Sequence, residues 1–199
     1  TLTGVFSDQE IMTASNKNIA TALMTGHLEI EAHHPNGELY AYRQFDNLVV
    51  DDGEQCILKM LFATTDGTAG RGGYTSTAGA AGGCTGILTG AWDVIAIGTG
   101  GGGPAETDVK LTTESTGVLA RGVATEKTWG NLTSGIPQIV MKKTFTADGN
   151  AAITESGLFN STTVNGSGML ARNVFTAVNL TDGDSITITW TFKVGANSP

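Results

Sequence analysis

The chain is poor in cysteine, proline, aromatic residues and basic side chains. Among its 199 residues there are 2 cysteines, 4 prolines and 11 lysines or arginines. Two thiols do not build the disulfide framework of a small secreted domain, so the sequence favours unbridged thiols at Cys56 and Cys84. With a formal net charge of -8, direct binding of nucleic acid is not expected, because that affinity comes mainly from clustered lysine and arginine.

Long apolar runs are also missing. No stretch approaches the roughly 20 residues of a transmembrane helix, and the first residues lack a charged segment followed by an apolar one. The sequence therefore predicts a chain that makes no contact with a membrane.

Glycine and threonine are abundant instead. Glycine accounts for 28 of 199 residues, and a share about twice the usual one favours short strands joined by tight turns. The strand-like segments 27–34 and 38–50 flank Pro-Asn-Gly, which is typical of a hairpin. Residues 185–194 alternate apolar side chains with threonine or lysine, as in a strand with one buried face. Such segments recur along the chain and predict an all-β fold, an antiparallel β-sandwich that occupies residues 26–199.

An arm, a helix and a long loop interrupt this pattern. Residues 1–25 show weak periodicity and are interpreted as an N-terminal arm. Asp51 and Asp52 precede residues 53–64, whose apolar positions have helical spacing, so one short helix is predicted there. Residues 64–90 are rich in glycine, alanine, threonine and serine, and we expect a long loop that contacts other subunits or a surface.

The stretch AWDVIAIGTGGGGPAETDVKL, residues 91–111, contains a nucleotide-binding pattern. Gly98, Gly100 and Gly103 match the spacing G-x-G-x-x-G after a core-like strand. A dinucleotide site needs a helix that begins at the third glycine, but Pro104 follows that glycine at once and β hairpins come next. We therefore expect a chance match, and no cofactor is predicted.

Candidate metal ligands are few and poorly arranged. His33 and His34 are adjacent in a strand and point to opposite faces, so they cannot easily share one ion. Glu29 and Glu31 lie on the face of His33, a pattern that favours a solvated strand edge, and the remaining histidine is His27.

Two acidic clusters are explained by local structure. Residues 181–185, Thr-Asp-Gly-Asp-Ser, place carboxylates around a glycine but lack the other ligands of a calcium loop, so a plain turn is predicted. Asp51, Asp52 and Glu54 are explained by capping of the predicted helix. No metal site is predicted.

No catalytic residue is predicted either, and the chain is interpreted as a non-enzyme. It contains no G-x-S-x-G segment, and neither cysteine lies in a recognisable catalytic motif. Trp92 and Trp190 look like core residues. An exposed aromatic platform for carbohydrate would have to come from Trp129, Tyr40, Tyr42 and Tyr74. The N-x-[ST] sequences, which chance explains in a chain rich in serine and threonine, are at Asn131, Asn160, Asn165 and Asn179.

Four segments, taken in order, resemble a known class of proteins. They are FDNLVVDDGEQCILKMLF, IAIGTGGGGPAETDVKLTTES, AAITESGLFN and GMLARNVFTAVNLTDGDSITITWTFKV. Together, over roughly residues 28–194, they resemble small structural proteins from the virions of tailed bacteriophages and related viruses. The long glycine-rich insertion and the N-terminal arm depart from the usual pattern, so the position within the virion stays open.

The resemblance implies a jelly-roll-like sandwich that acts in the virion as a capsid decoration, head-to-tail or tail component. It implies a symmetric homo-oligomer whose other partners are virion proteins such as major capsid or tail proteins, and it supplies no catalytic residues. The main alternative is an extracellular, pilin-like filament subunit in which residues 1–25 donate a strand to the next copy. A carbohydrate-binding or hydrolytic sandwich is the third possibility.

Overall fold

The computed structural model describes residues 24–50, 53, 92–130, 138–164 and 168–194. Most of the predicted arm, helix and glycine-rich loop lies outside these residues. The same is true of Cys56, Cys84, Tyr74, Asn131 and Asn165, and of the acidic residues assigned to the helix cap, Asp51, Asp52 and Glu54.

The described residues are all-β, as predicted. Nine antiparallel strands form one curled, half-barrel sheet, and helix is nearly absent from these residues. The strands are β1 (Met24–His33), β2 (Leu39–Val49), β3 (Val94–Gly98), β4 (Gly122–Val123), β5 (Glu126–Gly130), β6 (Gln138–Thr146), β7 (Ala151–Phe159), β8 (Met169–Leu180) and β9 (Ser185–Val194). Their order across the sheet is β4-β3-β7-β8-β2-β1-β9-β6-β5.

The inner face of the sheet follows from alternation along the strands. In β9, Ile186, Ile188 and Trp190 are fully buried, whereas the intervening threonines line the outer face. Leu28 and Ile30 of β1 are buried beside them. Because each strand contributes every second side chain, the concave side of the sheet encloses one large apolar core. The predicted core role of Trp190 is confirmed, whereas Trp92 is only partly buried and packs against the same core. The strand after Trp92 is buried throughout.

Strands β3, β7 and β8 are covered on both faces. Their second face carries a smaller apolar cluster that includes Val94, Phe159 and Met169, and Leu111 from the segment after β3 packs onto it. Every residue of β3 is buried for this reason. The segment that covers this second face begins with the glycine-rich turn at the end of β3, so the turn lies against the sheet.

Residues 117–129, whose sequence resembles one continuous strand, are divided in the structure. The chain forms a 3-10 turn at Gly117–Leu119, then β4, then β5. The amide of Ala124 donates to the Asp93 carbonyl at 2.7 Å, and that of Thr125 donates to the Lys142 carbonyl at 2.8 Å. These bonds separate the segment into two strands that lie at opposite ends of the nine-stranded order.

Tight turns join the strands at one end of the sheet. The amide of Ala147, in the β6–β7 turn, donates to the Asp184 carbonyl at 2.8 Å, and the amide of Gly183 donates back to the Ala147 carbonyl at 2.9 Å. Gly183 and Gly37 have φ of 81° and 85°, which only glycine adopts readily. Among the described residues, no helix is both long and apolar enough to cross a membrane.

Candidate functional site

The glycine-rich turn after β3 leads into a loop that returns to the same strand. The amide of Thr99 donates to the Thr113 carbonyl, and that of Ser115 donates to the Ile97 carbonyl, both at 2.9 Å. Residues 99–115 therefore form a loop whose two ends are joined by hydrogen bonds. This loop lies over β7 and β8.

A single buried carboxylate, that of Glu155 in β7, holds the loop. Its side chain is fully buried. One of its oxygens, Oε1, accepts hydrogen bonds from the amides of Gly100 at 3.1 Å and Thr113 at 2.8 Å, and Oε2 accepts one from the amide of Thr112 at 3.0 Å. Clustered backbone amides of this kind bind anions. The anion bound here is part of the protein.

Arg172 in β8 supplies the balancing positive charge. Its Nε and Nη2 donate to Oε2 of Glu155 at 3.0 and 2.7 Å. Its Nη1 donates to Asp108 at 2.7 Å, and Nη2 also donates to the hydroxyl of Thr112 at 2.7 Å. Burial by itself would lower the pKa of Arg172, but its hydrogen bonds to Glu155 and Asp108 outweigh burial and raise the pKa above its ordinary value. The guanidinium thus donates from Nε, Nη1 and Nη2 to partners inside the protein, the hydrogen bonding that a buried ion pair needs in order to persist.

The first two glycines of the G-x-G-x-x-G pattern are required by this carboxylate. A Cβ at Gly98 would lie 2.7 Å from Oε1 of Glu155, and one at Gly100 would lie 2.3 Å from it. The third glycine, Gly103, has no atom within 4 Å of its Cβ position. After it the chain makes a turn in which Asp108 and Ala105 exchange hydrogen bonds, rather than a helix. The helix that a dinucleotide site needs is therefore not formed at this position.

Two further ion pairs fix the same side of the sheet. Arg121 donates from Nε and Nη2 to the two carboxylate oxygens of Glu114 at 2.6 and 2.5 Å, and its guanidinium lies 3.8 Å from the centre of the Phe159 ring. Lys127 of β5 pairs with Asp93 next to β3. The first pair ties the end of the loop to the segment before β4, and the second joins β5 to the residue before β3, 34 positions earlier in the chain.

No family model, curated protein or solved structure matches this chain.

The histidines and carboxylates singled out from the sequence do not converge. His27 contacts Asp46 at 3.2 Å, and both line a shallow polar depression of about 260 Å³; His27 also lies 3.7 Å from Glu29. β1 lies between β2 and β9, so the prediction of a strand edge for Glu29, Glu31 and His33 is wrong. No group of three metal-ligating side chains occurs among the residues that the structure describes.

The segment Thr-Asp-Gly-Asp-Ser forms the predicted plain turn between β8 and β9. The buried carboxylate of Asp184 accepts hydrogen bonds from the amide and hydroxyl of Thr181 at 2.8 and 2.9 Å, and lies 3.0 Å from Nδ1 of His34. His34 in turn stacks on Tyr40. The carboxylate thus closes its own turn and ties it to the β1–β2 hairpin.

We expect this turn to weaken in acid. The Thr181 amide, followed by the His34 side chain, holds the pKa of Asp184 below its ordinary value. A carboxyl with a lowered folded-state pKa stabilises the fold above its unfolded pKa of about 3.9 and loses this contribution as the pH falls through the folded value. Thermal unfolding of Asp184→Asn should therefore differ from wild type most above about pH 5, and the difference should shrink towards pH 2. Exposed Asp182→Asn is the control, and a difference that does not change with pH would contradict this assignment.

The aromatic candidates for a carbohydrate platform lie apart. Trp129 on β5 has 64% of its surface exposed and Tyr42 on β2 has 43%, but these strands stand on different sides of β1, β9 and β6. Tyr40 stacks on His34 and donates to the Asn179 carbonyl at 2.9 Å. The described aromatic residues therefore do not form one platform.

The residues that matter most here, Glu155, Arg172 and Asp108, were not singled out from the sequence. Glu155 and Arg172 lie in two segments that carry the resemblance, AAITESGLFN and GMLARNVFTAV, and the glycine turn lies in a third. Each is a charged residue within a mainly apolar strand segment, and this is the signal that could have identified them. The two asparagines of N-x-[ST] sequences that are described differ in exposure, since Asn160 is buried and Asn179 is exposed.

Proposed function

We propose that this chain is a structural protein of the virion of a tailed bacteriophage or related virus, acting as a capsid decoration, head-to-tail or tail component. It works without catalysis, through symmetric contacts between copies and with other virion proteins such as major capsid or tail proteins. It contacts neither nucleic acid nor membrane directly.

One observation carries the proposal: three of the four segments that resemble this class meet at the carboxylate of Glu155. Gly98 and Gly100 come from the glycine-rich segment, Glu155 from the next and Arg172 from the last. All of their polar contacts hold a loop to a sheet. The residues that carry the resemblance therefore hold the fold together, which supports a structural role over a catalytic one.

The same proposal includes a jelly-roll-like β-sandwich as the finer description of the fold. Two features support it. β2 pairs with β1 over most of its length but with β8 through Leu48 and Val49, and the chain changes from one end of the sheet to the other between β4 and β5. Strands that change partners at such corners divide a curled sheet into two facing halves.

Negative-stain electron microscopy of the purified full chain, alone and mixed with particles from a phage that encodes it, tests this function. We expect rings, caps or decorated particles, because closed point-group symmetry is the rule for structural oligomers. Uniform helical filaments would contradict the proposal and favour the pilin-like alternative. Hydrolysis of a glycan would contradict the non-catalytic role, and retention on a glycan array would favour the carbohydrate-binding alternative.

A further inference from the structure

The two edge strands of the sheet differ in the length of backbone that another chain could pair with. At one end, β4 has only two residues, Gly122 and Val123. At the other end, β5 has five residues, pairs with β6, and has no second neighbour among the described residues. The first four residues of β5 are all exposed. The backbone of β5 is therefore the longer free template for pairing.

This edge carries few of the usual devices that prevent pairing. Natural edges are protected by proline, by bulges, by shortness or by free charges. β5 contains no proline, and its register with β6 runs without a shift from Glu126 opposite Lys142 to Gly130 opposite Gln138. Its lysine, Lys127, directs its ammonium to Asp93 of the same chain.

We propose that β5 pairs antiparallel with β5 of a second copy of this chain, about a two-fold axis at Thr128. This inference rests on the proposed structural function and specifies which strands form the contact between subunits. A register centred on Thr128 matches all five residues, with Glu126 opposite Gly130 and Lys127 opposite Trp129. Directly opposed residues of antiparallel strands share a face, as a two-fold axis through the sheet requires.

The side chains suit this register. Trp129 is 64% exposed, although its partner on β6, Ile139, packs against the core. Pairing places the stem of the other copy's Lys127 beside the indole, and tryptophan is enriched at the centres of interfaces. Glu126 meets Gly130, which adds no side chain. Glu126 and Lys127 also balance each other, so this edge avoids the repulsion that a net charge of -8 creates between copies.

Cysteine cross-linking of the full chain tests the register. In Thr128→Cys the two introduced thiols stand opposite each other, with Cβ atoms about 4.5–5.5 Å apart, and mild oxidation should give a covalent dimer. In the control, Glu126→Cys, the two thiols are about 13 Å apart along the strands and should not join. Wild type, which retains Cys56 and Cys84, gives the background.

Light scattering after size exclusion completes the test. Wild type should be dimeric or larger at about 100 µM, and Trp129→Lys, which places two lysines opposite each other across the contact, should weaken association by about tenfold or more. Oligomers that cross-link no better through Thr128→Cys than through Glu126→Cys would overturn the β5 contact and leave the structural function standing. A wild-type monomer at this concentration would overturn the contact as well, whereas decoration of particles in the microscope would still support the function.

Discussion

Replacing Glu155 by glutamine is expected to lower the free energy of unfolding by about 3–5 kcal/mol, the usual loss when one partner of a buried ion pair is removed. The glutamine keeps the volume of the side chain but removes its charge. Arg172 then remains buried without its main counter-ion. The new amide group also brings donors towards backbone N–H groups that need acceptors.

Thermal and urea unfolding of the purified chain measure this effect. For a domain of this size the loss corresponds to a fall in Tm of roughly 6–20 °C. The matched control is Glu106→Gln in the same loop, whose exposed side chain predicts a change within about 0.5 kcal/mol. A loss below about 1 kcal/mol for Glu155→Gln would mean that water enters and replaces the carboxylate, and would contradict the role assigned to it.

A double variant separates the ion pair from a general loss of packing. Glu155→Gln combined with Arg172→Met removes both charges, so the unpaired guanidinium is no longer buried. We expect the double variant to be more stable than the sum of the two single losses predicts, by about 0.5–3 kcal/mol. Simple additivity would contradict direct coupling between the two side chains.

The strands of the larger core could be predicted because their pattern is local. In β9, Ile186 to Phe192 alternate with threonines, and each step of the pattern is readable from neighbouring residues. The hairpin between β1 and β2 was predictable for the same reason, since Asn36 and Gly37 determine the turn and Gly37 adopts positive φ.

The ionic centre could not be predicted in this way. Glu155 accepts from amides 42 to 55 residues earlier in the chain and from Arg172, 17 residues later. No neighbouring residue in the sequence indicates that the Glu155 side chain points inwards, because a strand of alternating residues is equally compatible with an exposed glutamate. The β7–β8 register shift between Ile153 and Glu155 adds an irregularity that strict alternation does not foresee.

The break between β4 and β5 could not be predicted from the sequence for a different reason. Ala124 and Thr125, where the chain leaves one end of the sheet for the other, are neither glycine nor proline. Their amides bond to partners on β6 and beside β3, so the break is imposed by tertiary contacts rather than by turn residues.

The second large effect on stability is expected in the glycine-rich turn after β3. Gly100→Ala is expected to destabilise the fold by about 1–3 kcal/mol, as overpacking of a buried site does. Its Cβ would lie 2.3 Å from Oε1 of Glu155, 2.5 Å from Cβ of Thr112 and 2.8 Å from the Thr113 amide nitrogen. Two of these neighbours are the carboxylate and an amide that bond to each other, so relieving the contact separates them.

The neighbouring glycine provides the matched control for Gly100→Ala. Gly101 has nothing within 4 Å of its Cβ position and no positive φ, so Gly101→Ala should leave stability within about 0.5 kcal/mol of wild type. The same pair of variants distinguishes the two interpretations of the pattern. If the turn binds the internal carboxylate, Gly100→Ala lowers Tm in the absence of any nucleotide, and calorimetric titration of wild type with ATP or NAD gives no heat of binding. Micromolar nucleotide affinity that is lost in Gly100→Ala, with Tm unchanged, would reverse this conclusion, because the amides of Gly100, Thr112 and Thr113 would then have to face a phosphate instead of Glu155.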